Sequence, residues 1–211
     1  MRPALRAVLL LLAGLLLGAS LMCVLMVTDS LPHEWYPIHG TPVENAGDPL
    51  ECALRVAACI QADDFAGLSA WIHPEKGVMF TPYSTVDPER DLTFTAAEVA
   101  GFATDKKLYL WGLTDAEGAP IQMTALDYMH RYVGGFDYSH APMTSVGIVL
   151  KTGNSVENVA EAYPGSTFVE LHIPQIDPKL EGFDWSSLKV VFEENQGRLK
   201  VIALIHSEWT V

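Results

Sequence analysis

Cysteine, basic residues and catalytic sequence motifs are all scarce in this chain of 211 residues. Of its three cysteines, only Cys52 and Cys59 lie beyond the first 28 positions. They are seven positions apart in a predicted helix, about 10.5 Å along its axis, whereas a disulfide needs Cα atoms within about 7 Å. We therefore expect both thiols to stay reduced and to pack as small core residues. No CxxC or Cys/His spacing predicts a zinc or redox site.

Basic residues are few once the first 28 positions are set aside. The rest of the chain has 11 lysines and arginines against 26 aspartates and glutamates, a formal charge of −15. Such a surface repels nucleic-acid phosphates and anionic lipid headgroups, so nucleic acid is not an expected partner. The chain has no calcium loop, P-loop, dinucleotide fingerprint, HExxH or nucleophile elbow. We therefore expect neither a metal nor an organic cofactor.

The longest run without a charged residue covers residues 7–27 and follows Arg2 and Arg6. A helix of this length spans the ~30 Å hydrocarbon core of a bilayer, and basic residues before it hold that end in the cytoplasm. We expect residues 1–28 to be an uncleaved single-pass anchor in the cell membrane, with the C-terminal part outside the cytoplasm. Two alternatives remain: a signal segment cleaved near Ser20, giving a secreted protein, and a lipoprotein modified at Cys23.

Behind the anchor, residues 29–48 contain several prolines and glycines and are typical of an extended tether. Residues 49–211 then have the size of one domain. Its early part predicts four helices, around residues 50–60, 65–72, 96–103 and 126–132, the first capped by Asp48. In the last of these, Asp127 and Arg131 have the spacing of a surface ion pair.

Strands dominate the later part, over residues 108–111, 144–150, 166–173, 188–193 and 199–209. The last two flank a short turn at Gly197. In the first of this pair, apolar residues alternate with Lys189 and Glu193, which predicts one buried and one wetter face. Residues 201–205 are all apolar, as in a strand covered on both faces. We predict an α+β fold in which N-terminal helices pack on a curved antiparallel sheet.

This order of elements resembles the nuclear-transport-factor-like (cystatin-like) cone, in which early helices close one side of a bent sheet. The segments HPEKGVMFTPY (residues 73–83), DWSSL (184–188) and IHSEWTV (205–211) also resemble an uncharacterised family of bacterial secreted or lipid-anchored proteins. The second resemblance implies a bacterial envelope location and a fold, and it brings no catalytic residue.

Inward polar residues of the central strands line the cavity in cone-shaped folds of this type. The corresponding candidates are His206, His172, Glu170 and Tyr128, with Asp184 and Trp185 near the mouth. A glycine-hinged loop supplies a second group of candidate ligand contacts: Asp137, Tyr138 and His140. Against both groups stands the simpler interpretation that these are hydrogen-bonded structural residues.

We expect a membrane-anchored extracytoplasmic binding or accessory domain whose ligand is an unknown protein or small molecule. One alternative is a cofactor-free enzyme using His206 or His172 with a carboxylate for acid–base chemistry. The other is a structural protein of envelope assembly. An open polar cavity with a histidine and a carboxylate in hydrogen-bond reach favours the enzyme, and a cavity filled by aromatic side chains argues against it.

Overall fold

Two helices open the part of the chain that the computed structural model describes, residues 47–115 and 117–210. Helix α1 covers Pro49–Gln61 and helix α2 covers Phe65–Trp71. The carboxylates of Asp48 and Asp64 each accept a backbone hydrogen bond from the first turn of the following helix, at 3.1 and 2.8 Å. Such caps satisfy amide groups that a helix leaves unpaired. The predicted cap and start of the first helix are confirmed.

The later helices are short: α3 is Ala96–Ala100, α4 is Ala125–Tyr128 and α5 is Val159–Ala162. Helix α4 continues directly into a π-helix, Met129–Val133. The wider turn of a π-helix changes the spacing of side chains along its surface. Arg131 therefore pairs with Glu208 of the last strand, and the predicted pair with Asp127 is not formed.

The described residues contain eight strands, two of which, β3 and β4, pair only with each other. The others form one sheet in the order β2-β1-β8-β7-β6-β5. Their bounds are β1 Val78–Thr81, β2 Leu92–Phe94, β3 Tyr109–Leu113, β4 Pro120–Met123, β5 Met143–Val146, β6 Thr167–Ile173, β7 Ser186–Asn195 and β8 Arg198–Glu208.

The predicted α+β class is confirmed, and the predicted purely antiparallel sheet is wrong at one junction. Strand β1 lies parallel to β8, while the other neighbours in the six-stranded sheet are antiparallel. Short turns force consecutive strands to run antiparallel. Because most of the domain lies between β1 and β8 in the sequence, no turn imposes a direction on this pair.

The hairpin between β7 and β8 has the turn that the sequence predicts. Gln196 and Gly197 have φ angles of 53° and 75°, and Asn195 pairs with Arg198 across them. Two consecutive positive φ angles match the right-handed twist of the flanking strands. The short strands β1, β2 and β4 were not predicted, because three or four residues are too few to show an alternating pattern. Strand β5 ends earlier than predicted, before Gly147 with its φ of 69°.

Both faces of the six-stranded sheet are covered. Leu171 and Leu188 point toward helix α1, on what we call the helix face. Val191 and Ile205 point to the opposite, second face, where they pack against side chains of residues 149–163. Strand β8 is therefore buried on both sides, as predicted.

The predicted wetter face of β7 is wrong at its centre, because Lys189 is completely buried. The predicted packing of the two cysteines is confirmed: both are free thiols, with Cys52 buried and Cys59 half-buried.

Within the described residues, no helix has the length and apolar character needed to cross a membrane. The predicted anchor, residues 7–27, and nearly all of the predicted tether lie outside the described part of the chain.

Candidate functional site

The central sheet separates the two histidines that the sequence places in one cavity. Leu188 pairs with Leu171 on one side and with His206 on the other, so His206 points to the helix face. His172 neighbours Leu171 along β6 and therefore points to the second face, as Glu170 does, because side chains alternate along a strand. The two histidines cannot act on one ligand from opposite sides of a buried sheet.

The space on the helix face around His206 is filled by aromatic rings. Tyr128 stacks on Trp111 with 3.8 Å between ring centroids and on Tyr132 with 4.9 Å. Tyr132 in turn contacts the His206 ring edge-on at 5.5 Å. Further buried rings complete this cluster: Phe80, Phe94, Phe102 and Tyr138. The predicted interior is a packed core, and Tyr128 is one of its buried members.

His206 has a hydrogen-bond partner at each ring nitrogen. Its Nδ1 lies 2.9 Å from the Pro82 carbonyl oxygen and its Nε2 lies 3.0 Å from the Ser186 hydroxyl. The Tyr138 hydroxyl reaches the same serine at 2.7 Å. This network fits a neutral imidazole that donates from Nδ1 to the carbonyl and accepts at Nε2. Burial lowers the pKa of His206 below its usual 6.5, which also favours the neutral ring.

An open polar cleft of about 310 Å³ lies beside this network at the end of β8. Arg131 of the π-helix donates to both carboxylate oxygens of Glu208, at 2.7 and 3.3 Å. The guanidinium also lies over the Tyr132 ring, 4.7 Å from its centroid. The Glu208 hydrogen bond raises the pKa of Arg131. The lining of this polar cleft is Tyr83, Thr114, Asp115, Arg131, Glu208, Trp209 and Thr210.

Glu208 connects the cleft to the buried histidine. Its carboxylate oxygen lies 3.7 Å from His206 Nε2, and its side chain is only 20% exposed. Ser186, at 3.0 Å, is closer to the same nitrogen. The carboxylate is therefore held chiefly by Arg131, and the histidine serves as a packed support beneath the cleft.

A second, apolar cleft of about 420 Å³ shares Trp209 with the polar one. Phe183 lies edge-on to Trp209 with ring centroids 4.9 Å apart. The side chains of Leu180, Phe183 and Trp209 are 51%, 52% and 36% exposed as residues. We call the two clefts together the Trp209 surface. Large apolar side chains exposed side by side are uncommon on soluble domains and mark interaction sites.

The predicted mouth residues contribute to this region in different ways. Asp184 accepts hydrogen bonds from the backbone of Asp177 at 2.5 Å and Ile176 at 2.9 Å, and these bonds lower its pKa. It thereby fixes the loop that displays Phe183. Trp185 is buried on the second face, 5.8 Å from the His172 ring.

The predicted ligand loop divides between surface and interior. Asp137 caps the 3₁₀ helix Tyr138–His140 and lies 2.8 Å from the exposed His140 ring. The hydrogen bond from Ser139 is the largest of the effects that lower the Asp137 pKa. Tyr138 points inward to the His206 network, so the three residues do not form one ligand contact.

Buried polar groups fasten residues 147–158 to the second face. The Lys189 ammonium lies 2.7 Å from Glu157 and donates to the Ser207 hydroxyl at 2.8 Å. Glu170, the cross-strand partner of Lys189, accepts from the Leu150 backbone at 2.7 Å. An ion pair of this kind is costly to bury and still more costly to break. We call residues 147–158 the strap.

His172 belongs to the same buried layer. Its Nδ1 lies 2.8 Å from the Ser187 hydroxyl, and burial lowers its pKa. It lines none of the clefts described above. Among residues 47–115 and 117–210, no group of three or more His, Cys, Asp or Glu side chains is arranged to hold a metal ion.

Replacing Glu157 by glutamine should destabilise the protein by about 3 kcal/mol, because the buried Lys189 ammonium then loses its closest carboxylate. The double variant K189M/E157L should lose less than the sum of the two single variants, because both charges of the pair are removed together while Glu170 keeps its hydrogen bond from the Leu150 amide. Urea unfolding of the single and double variants measures the coupling. The exposed pair Lys76–Glu193, with nitrogen and oxygen 2.5 Å apart, is the control: K76M should cost less than about 1 kcal/mol. Additive losses in the double variant would contradict the buried pair.

Acidification should destabilise the wild-type protein more steeply than the variant His206→Gln. The pKa of His206 is lower in the folded protein than its ordinary 6.5, so the unfolded chain binds the extra proton. Stability should therefore be full above about pH 6.5 and fall as the pH drops toward the folded pKa. The difference in slope is at most about 1.4 kcal/mol per pH unit for one group. Urea unfolding between pH 7.5 and pH 5 measures it, and equal slopes would exclude a buried neutral histidine.

No protein-family model matches the chain, and no curated protein matches its sequence. The resemblances to the cone-shaped fold and to the uncharacterised bacterial family therefore stay predictions.

Proposed function

We propose that this protein is a binding module of the bacterial envelope, held to the membrane by residues 7–27, and that it binds a protein segment at the Trp209 surface. The observation that carries the proposal is the position of Trp209, shared by an apolar and a polar cleft. A ligand seated there meets aromatic area and fixed charge together. Tryptophan, tyrosine and arginine are the residues most enriched where binding energy concentrates.

Internal contacts hold the polar half of the surface in place without a ligand. Arg131 is fixed by two bonds to Glu208 and by the ring of Tyr132. The π-helix that carries it is a type of element found frequently at functional sites. Because these side chains are already ordered, a partner loses less conformational entropy when it binds.

The apolar half of the Trp209 surface supplies exposed apolar area that a partner can bury. Phe183 and Leu180 project from a loop fastened by Asp184, and both are about half exposed. If an apolar side chain of a partner binds between them and Trp209, apolar surface of both proteins is removed from water, which favours binding. The neighbouring carboxylates of Asp115 and Glu208 favour a partner segment with polar or basic groups beside that apolar anchor.

A binding role also agrees with the environment of the predicted acid–base residues. His206 is enclosed by aromatic rings and bonded to Pro82 and Ser186, and His172 lies under the strap. A general base must reach the proton of a substrate. We further propose that the early helices and the central sheet form a cone of the nuclear-transport-factor-like kind, supported by the packing of α1 against β6.

Photo-crosslinking of the full chain in the cells that produce it tests the binding surface. A benzophenone amino acid at Leu180 or Phe183 should give one discrete adduct, and W209A in the same chain should reduce that adduct about tenfold or more. Trp209 lies beyond the end of β8 and outside the buried core, so the variant should remain folded at the temperature of the experiment. The control position is Leu108, which is 59% exposed and lies outside both clefts. Equal adducts from Leu108, or an adduct that survives W209A, would contradict the proposal.

Alkaline extraction of membranes and mass spectrometry of the mature chain test the anchor. The protein should stay in the membrane pellet and should retain residues 7–27. L16R should release a large fraction, because an arginine at the centre of a spanning helix costs about 2.5–3.5 kcal/mol. S30R, just outside the run, is the matched control. A mature chain that starts after Ser20, or at a lipid-modified Cys23, would replace the anchor with one of the two alternatives.

A further inference from the structure

A cleft of about 660 Å³ at the start of β8 differs in charge from the rest of the domain. Three basic side chains line it: Arg55 of α1, and Arg198 and Lys200 of β8. Glu51 is the one acidic residue that lines it. Beyond position 28 the chain has only 11 basic residues against 26 acidic ones. More than a quarter of those basic residues therefore meet in one cleft, which we call the basic cleft.

Most hydrogen-bond donors of these side chains are available to a ligand. Lys200 donates one of its three N–H groups to the Ala70 carbonyl at 2.7 Å, which holds the ammonium at the rim. Arg198 forms no ion pair with any described residue. Arg55 pairs with Glu51 at 2.5 Å, but both side chains are at least 60% exposed. A pair of that kind contributes only a few tenths of a kcal/mol, so an anionic ligand can displace it.

The donors suit a phosphate group. An arginine guanidinium presents paired donors that match phosphate oxygens, and a lysine ammonium adds a point charge. The indole of Trp71, half-buried in the same lining, is an amphipathic ring of the kind that collects at membrane interfaces.

The position of the cleft in the chain points to the source of the phosphate. Gly47, which lines the cleft, is the next-to-last residue of the predicted tether, residues 29–48. Strand β8 starts here and ends at the Trp209 surface, about 30 Å away at 3.3 Å per residue. We propose that the basic cleft binds the headgroup phosphate of an anionic phospholipid. The choice of a lipid over a soluble phosphate rests on the proposed membrane anchor.

This binding would orient the domain. With the start of β8 at the headgroups, the Trp209 surface lies at the far end of the strand, open to a partner. The acidic remainder of the domain is repelled by the same anionic surface, which disfavours other orientations.

Native mass spectrometry of the full chain, released from neutral detergent micelles, tests the proposal. Dihexanoyl phosphatidylglycerol should bind, and the zwitterionic phosphatidylcholine of the same chain length should bind at least tenfold more weakly. R198A/K200A should weaken phosphatidylglycerol binding about 25-fold, since each basic residue beside an anionic headgroup contributes about fivefold. The conservative variant R198K/K200R should keep most of the affinity. K106A/K107A removes the same charge from two exposed lysines outside the cleft and should change it less than twofold.

Equal binding of the two lipids, or equal losses in the two alanine variants, would overturn the proposal. Glycerol 3-phosphate binding as tightly as phosphatidylglycerol would also overturn it and would assign a soluble phosphate ester to the cleft. W209A should bind the lipid like the wild type, so a failure at the basic cleft is distinguishable from a failure of the proposed binding surface. The anchor is measured separately by the mass of the mature chain.

Discussion

Burial of the β7–β8 hairpin on both of its faces is the constraint on which the rest of the structure depends. A strand buried on both sides needs two covering layers, and the two longest α-helices of the described residues both lie on one face. Helices α1 and α2 lie on the helix face. The second face is covered by the strap and the short helix α5, which contribute few large apolar side chains.

Polar bonds compensate for this thin cover. Lys189 and Glu170 are cross-strand partners at the centre of the sheet, and each binds a different part of the strap: the Glu157 carboxylate and the Leu150 amide. Neither group is stable there without its partner, because an unpaired buried charge costs several kcal/mol. The strap therefore stays in place because its displacement would leave Lys189 and Glu170 buried without these partners. Sequence-distant segments are joined here by buried polar groups that need partners as well as by apolar contacts.

Local chemistry made several elements predictable from the sequence. Asp48 before Pro49 identifies the first helix, and Gly197 identifies the hairpin, because caps and positive φ angles depend on neighbouring residues only. The site depends on longer-range information. The strands that carry His172 and His206 were predicted correctly. That the two histidines lie on opposite faces of the sheet, however, follows only from the register of β6, β7 and β8 together. No single strand contains that register.

Two further features differ from the sequence prediction for identifiable reasons. Lys189 alternates with the apolar residues Leu188 and Val190, which predicts that it faces solvent. Val191, two positions later on the same face, is apolar and indicates that this face is covered by other residues. Trp209 forms a surface only together with Phe183, which lies 26 positions earlier in the loop between β6 and β7, a segment without a strand or a long helix. Apolar residues in such loops give no periodic signal.

The two ends of β8 connect the buried core to the proposed functions. At its start, Arg198 and Lys200 line the cleft for which we propose an anionic ligand. At its end, Glu208 is held by Arg131 above a neutral His206, and the next residue is the shared tryptophan. Because the middle of the strand is buried on both faces, its two ends stay at a fixed separation. A strand about 30 Å long held in this way is suited to act as a spacer between the lipid site and the binding surface that we propose. The aromatic rings packed around His206 support the far end of this spacer from the helix face.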